Sequence, residues 1–416
     1  MDNLIHSSEE IEAMKVEWKK NKSFKPDVLL ERIDESKTVK NGRVSYSLFD
    51  YQEALAALVS MIKFPSNHDY FKQDVVADAI NKVALLGDLD KGKVIDEINE
   101  IVRNKSSTVE EKFHFLTCIS IDQSMVSEME IEDVKIKIFK DNFPEEYVQS
   151  AEKINKHKIE KNPDNYLKVI IFVKAKSYKE AIHKSLRSVD LIRSIWCLFG
   201  NSEMEVFGDQ WKPINKVRLG SFHTIHKPDG SLASEQFSYD PSFTENPIFI
   251  RKDSSNFKEL CGNALKKLEA IPYRSKLKEA LLRYVRALDE RDQNVALIKL
   301  WGALESIAAP GESNCDSVTR RCAFLFEENQ YHKQILEHLR EYRNSNVHSG
   351  ELTDQAKMYC FQLQYYFHNL LVFHLKNAGE FNSLDEANSF LDLSVDKTVL
   401  EKKKKFIEKA IKFLNS

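Results

Sequence analysis

Apolar residues recur along most of this chain at intervals of three and four, the period of one helix face. Leu48, Tyr51, Leu55, Leu58, Val59 and Ile62 follow that period, and Pro65 predicts its stop. Val75, Ala79, Val83 and Leu86 form a second stripe closed by Gly87, and further helices are expected over Val94–Val102 and Val109–Ile121. The first 45 residues or so are polar and lysine-rich, with short helical pieces at best.

The texture changes near residue 130. Val134–Phe139 alternates as a half-buried strand does, and Leu167–Lys174 is a continuous apolar run rich in β-branched residues, the mark of a buried strand. A helix is expected over Ser177–Phe199, with Ala181, Leu186, Val189, Ile192, Ile195 and Trp196 inward. Val217–His226 alternates again, Lys227–Gly230 has turn composition, and Gln236–Tyr239 reads as the returning strand.

From Asn256 onward the pattern is helical. Leu277, Ala280, Leu281, Tyr284, Val285 and Leu288 make one stripe; Leu297, Leu300, Trp301, Leu304 and Ala308 make the next, ended by Pro310-Gly311. A shorter helix carries Cys322–Phe326. Tyr331, Ile335, Leu339 and Tyr342 line another, and Thr353 or Asp354 is placed to cap a long aromatic helix reaching about Lys376. Short loops between these helices predict an up-and-down bundle. Leu400–Leu414 is a lysine-rich amphipathic helix. The fold class is therefore mainly α with a smaller α+β portion. Its parts are an N-terminal helical region (1–128), an α+β region with a sensor or regulatory role (129–255), and a helical bundle with its lysine-rich helix (256–416).

Composition narrows the classes. Twelve glycines and ten prolines in 416 residues are few, which favours long helices over a many-stranded sandwich and leaves little material for glycine-rich phosphate loops. A formal net charge of −3 excludes a wholesale nucleic-acid coat but not a local basic cleft. Lysine patches lie at 135–140, 153–161 and 402–405, and such runs are ordinarily solvated faces. The six cysteines are scattered without a Cys-x-x-Cys, as expected of reduced, buried thiols. The first residues are acidic rather than basic-then-apolar, and no apolar run is long enough to cross a bilayer. A cytoplasmic, bacterial protein with no membrane partner is expected.

Most catalytic signatures are missing: no P-loop, His-Glu-x-x-His, Gly-x-Ser-x-Gly, kinase set or zinc cysteine cluster. His223 and His226, three apart in a strand, fall on opposite faces and are expected in surface roles, with no metal and no cofactor. His368, His374, Trp301, Tyr342 and Tyr365 read as packing residues. What stands out is Arg343-Asn344-Ser345-Asn346-Val347-His348. It combines a permanent cation with a group that titrates near neutral pH, the tools for cleaving RNA without a metal. The five-residue spacing turns ~140° on an ideal helix. The poor helix formers Asn344, Asn346 and Ser349 predict loosening near Ser345, with Gly350 as the cap, so that the two side chains converge. Arg343 and Glu305 each lie ~80° from an apolar stripe, where opposite charges on neighbouring helices can pair.

Residues 270–380 resemble the HEPN superfamily of helical RNases and nucleotide-binding domains. The matching pieces are Ala296–Ile307 (Ala-Leu-Ile-Lys-Leu-Trp-Gly-Ala-Leu-Glu-Ser-Ile) and the Arg343-x4-His348 segment, which fits that family's Arg-x(4–6)-His motif with Asn344 after the Arg. The first piece is most similar to the ApeA-like HEPN group of bacterial anti-phage proteins. The resemblance implies an endoribonuclease of a defence or toxin-type system acting on tRNA or other cellular RNA. It further implies a homodimer that brings two motifs together, and a phage-derived trigger or regulatory partner. Arg343, His348 and Asn344 are then the catalytic candidates, with Glu305 and Asn346 in support. Ser349 and Gly350 stand where toxins of this family usually carry a Tyr two positions after the His, so control by adenylylation there is not supported. The competing reading is a non-catalytic module that binds RNA, a nucleotide or a protein and uses the Arg/His pair as a phosphate clamp.

Overall fold

A computed structural model describes residues 15–64, 71–124, 128–147, 162–201, 212–235, 237–241, 243–312, 316–350 and 352–414. It is mainly α-helical with one six-stranded sheet, and it divides into two compact units. One comprises residues 1–113 with 174–184; the other comprises 114–173 with 185–416.

The first unit is built on helices α1 (Pro26–Ser36), α2 (Leu48–Met61), α3 (Lys72–Leu86) and α4 (Lys91–Ser107). Pro26 opens α1, where its missing N–H costs nothing. Asp90 caps α4 by accepting from the amides of Gly92 and Lys93 at 2.7 and 3.1 Å. Leu30, Leu58, Val75, Ile80, Val94 and Ile98 meet in one core. The Asn99 side chain accepts from the Val16 amide and donates to the Val16 carbonyl, both at 2.9 Å, tying the entering chain to α4. Residues 15–45 hold more structure than their composition suggests. Besides α1 they contain the hairpin β2 (Thr38–Lys40) and β3 (Arg43–Ser45), with Asn41-Gly42 at positive φ in its turn, and β1 (Glu17–Trp18) paired with β4 (Ile62–Lys63). Lys179, from the 174–184 segment, pairs with Asp74 at 2.6 Å.

The second unit holds the sheet, whose strand order is β10-β9-β5-β8-β7-β6. Its strands are β5 (Glu111–Ile119), β6 (Glu128–Ile131), β7 (Val134–Phe139), β8 (Leu167–Ala175), β9 (Phe222–His226) and β10 (Ser238–Tyr239). The helix expected over Val109–Ile121 is thus a strand. From Phe115 to Ile119 every residue of β5 is buried, and a strand covered on both faces shows no alternation to distinguish it from a buried helix. His223 and His226 are buried, not on the surface, because β9 lies between β10 and β5. His223 bonds Thr117 Oγ1 at 2.7 Å, and His226 bonds Thr224 and the Gly230 carbonyl.

Helix α5 (Tyr178–Gly200) is buried on every side from Ser188 to Leu198. After it come α6 (Ser254–Ala270), α7 (Arg274–Ala287), α8 (Gln293–Ala308), α9 (Asp316–Phe324), α10 (Asn329–Ser349), α11 (Ala356–Lys376), α12 (Leu384–Leu391) and α13 (Lys397–Leu414). α8 is the hub and packs against α7, α9, α10 and α11. Trp301 is fully buried in it. Tyr365, expected in the core, is exposed on α11. α11 begins at Ala356 with Gln355 as its cap residue; Thr353 instead accepts from the Gln355 amide. α13 buries no residue at all. Among the described residues, no helix is long and apolar enough to cross a membrane. The five described cysteines are free and buried; Cys315, the lysine patch at 153–161, Pro65 and Gln236 lie outside the described residues.

A charge network joins the sheet loops, α5 and the end of α7. Asp289 accepts two parallel hydrogen bonds from Arg193 at 3.0 and 2.6 Å, and one each from Arg218 at 2.8 Å and Asn215 at 2.7 Å. Arg193 also bonds Asp190, whose other oxygen accepts from Arg286 at 3.0 Å. Burial alone would push the Asp289 carboxyl up, but the Arg193 and Arg218 guanidiniums outweigh it and hold the group below the usual carboxylate range.

Asp289→Ala removes the carboxylate paired with Arg218 and leaves Arg193 only Asp190; it is expected to cost about 3–5 kcal/mol, read as a lowered thermal midpoint, and an unchanged midpoint contradicts the network's role. Burial lowers His223 and His374 to about 4. The unfolded chain takes up protons on these groups near pH ~6.5 while the folded chain does not, so stability falls as pH drops from ~6.5 toward 4. The urea midpoint is expected to decline from about pH 7.5 to about pH 5.5, and a rise over that window contradicts the assignment.

Candidate functional site

The Arg-x4-His segment forms the last turns of α10. Leu336, Leu339 and Tyr342 are buried there, whereas Tyr331 is exposed and Ile335 is only half-buried. Leu339 and Tyr342 are buried as the pattern suggested, while Leu336 takes the place of Ile335 in the stripe. That shift moves Arg343 off the margin: seven positions after Leu336 is almost two full turns. Asn346 lies in the same relation to Leu339 and is itself buried. Two polar side chains thus continue an apolar face.

Among the described residues, Arg343 makes one hydrogen bond, Nη1 to Asn344 Oδ1 at 3.0 Å, and one ion pair, Nη2 to Glu305 Oε2 at 3.9 Å. Its Nε is buried with no acceptor among the described residues. The guanidinium is about a quarter exposed, as is the Glu305 carboxylate, which extends from α8. A planar cation held from two sides, with donors left over, is suited to an anionic oxygen.

His348 lies on the same helix, in its last turn. The loosening expected near Ser345 does not occur. α10 stays helical to Ser349, and only Gly350 turns left-handed (φ 67°), its N–H donating to the Asn346 carbonyl at 3.0 Å. Tertiary contact overrides the weak propensities here. Tyr342 donates from its hydroxyl to Asn294 Oδ1 at 2.7 Å, the same oxygen accepts from the Thr353 amide at 3.2 Å, and the Tyr342 ring meets Tyr359. Five helical residues put position 348 ~7.5 Å along the axis and ~140° around it from position 343.

Arg343, Asn344 and Glu305 are therefore brought together where α10 meets α8, with Asn346 and His348 further along the same helix. Among the described residues, no three His, Cys, Asp or Glu side chains converge to hold a metal ion. The Asp190–Arg193–Arg218–Asp289 network escaped the sequence reading. Its trace was present, since Asp190 and Arg193 are charged residues inside an otherwise apolar helical run. Comparison with family models, curated proteins and solved structures finds no match to this chain.

Gly350 has open space where a Cβ would sit, so Gly350→Ala meets only backbone strain. It is expected to cost about 1–2 kcal/mol and to fray the last turn of α10, measured by thermal unfolding and by faster amide exchange at Asn346–Ser349. Exchange unchanged from the parent contradicts the cap.

Proposed function

We propose that this protein is a HEPN-type endoribonuclease that cleaves tRNA or other cellular RNA without a metal, in a bacterial anti-phage or toxin-type system. One observation carries the reading: Arg343 sits on the packed side of α10, flanked by Glu305 and Asn344, in the helix that also bears His348. The packing of α7, α9, α10 and α11 around α8 agrees with a helical nuclease scaffold.

In this reading His348 takes the proton of a ribose 2′-OH. The freed oxygen attacks the adjacent phosphorus, and Arg343 stabilises the charge that builds on the pentacoordinate phosphate. The 5′-oxygen leaves as it gains a proton, giving a 2′,3′-cyclic phosphate and a 5′-hydroxyl. One imidazole cannot be base and acid in the same step. A second copy of the chain, with its own motif across the cleft, supplies the other, and a phage-derived trigger or regulatory partner sets when this happens. Glu305 holds the guanidinium, and Asn344 and Asn346 orient the phosphate or the imidazole.

Bulk tRNA and messenger RNA incubated in EDTA are expected to be cut by the parent chain. His348→Ala is expected to lose about 10²–10⁴-fold in rate while keeping fold and RNA affinity. No cutting by the parent chain, with RNA still bound, selects the non-catalytic phosphate-clamp reading instead.

A further inference from the structure

The second unit contains a cavity of about 380 Å³, large enough for a mononucleotide. Its described lining includes Lys212, Lys216, Arg251 and Lys357 and no carboxylate. Arg251 is already paired with Asp253 at 2.8 Å and lies over the Phe257 ring, so it acts as a fixed rim charge. Four basic side chains thus line one concavity, in a chain whose formal net charge is −3.

The cavity also has a polar floor. Asn201 donates to Asn215 Oδ1 at 3.1 Å, and its Oδ1 accepts from the Lys216 amide at 3.1 Å. Asn215 in turn holds Asp289, so the charge network fixes the floor in place. Gln364 is 6% exposed; its Oε1 accepts from Tyr284 and Asn201, while its Nε2 donates to no described residue. Phe361, half-buried on α11, and Phe249 add flat apolar surface. Cations at the rim, an amide donor in the floor and phenyl rings between them suit a ligand with a phosphate at one end and a flat polar ring at the other.

We infer that this cavity binds a nucleoside monophosphate, with Lys216 and Lys357 on the phosphate, Phe361 against the base and Gln364 on its polar edge. The proposal stands apart from the RNA-cleavage reading, because the cavity shares no residue with the Arg343–His348 motif.

Isothermal titration of the full chain with AMP, GMP, CMP and UMP tests it, with adenosine, ribose 5-phosphate and inorganic phosphate as comparison ligands. The same titrations on the His348→Ala chain keep the result separate from cleavage. At least one monophosphate is expected to bind one-to-one. Adenosine, and the paired Lys216→Ala/Lys357→Ala variant with its thermal midpoint unchanged, are each expected to bind about tenfold more weakly or worse. Phe361→Ala is expected to weaken the nucleotide but not ribose 5-phosphate. The proposal is overturned if no monophosphate binds at millimolar concentration. It is equally overturned if adenosine, ribose 5-phosphate or the lysine variant binds as well as the nucleotide and parent chain do.

Discussion

One carboxylate organises the second unit. Asp289 follows α7, yet its partners come from α5 (Arg193) and from the segment entering the sheet (Asn215 and Arg218). The Arg218 amide donates to Ser120 Oγ, just beyond β5, and the Ser120 amide donates to the Arg218 carbonyl. Sheet, buried helix and bundle therefore share one ionic centre. Its geometry is demanding. Asp289 receives a two-pronged contact from Arg193, and that guanidinium also reaches the Val217 carbonyl at 3.0 Å. A buried ionic network adds little net stability compared with well-packed apolar groups, but it tolerates few alternatives. Its effect is to fix which loop meets which helix.

A second cluster works in the same way at the other end of α8. Arg321 donates to the Ala308 carbonyl, pairs with Glu312 and forks onto Asp392. The Asn388 amide caps the Ile307 carbonyl at 3.0 Å. The C-terminal end of the hub helix is thus closed by side chains of α9 and α12. With both ends anchored, α8 offers a rigid base from which Glu305 extends toward α10.

Periodicity revealed the helices well because most of them bury one face and wet the other. Leu277 to Leu288 and Leu297 to Ala308 are examples, and both stripes are buried. It failed where burial was complete. β5 lost its alternation, and the second half of α5 concealed which of its charged residues had partners. It also misjudged the end of α10. Local propensity at Asn344, Asn346 and Ser349 argued for loosening near Ser345, while the bonds of Tyr342 and Asn294, invisible in a linear string, hold that helix end. The Arg343–Glu305 proximity was legible because both lie near apolar stripes of adjacent helices. The cavity lining was not, since Lys212, Lys216, Arg251 and Lys357 are spread over some 150 residues and only tertiary structure gathers them.

The first unit is not a continuous stretch of chain. Its last piece, residues 174–184, is made only after the strands of the second unit from β6 to β8 have been synthesised. Residues 114–173 separate the two pieces, about 60 residues, which at roughly 5–20 residues per second is a wait on the order of 3–12 s on the ribosome. During that interval Asp74 has no Lys179, and the nascent amino-terminal helices must persist as an unfinished assembly until their missing part emerges.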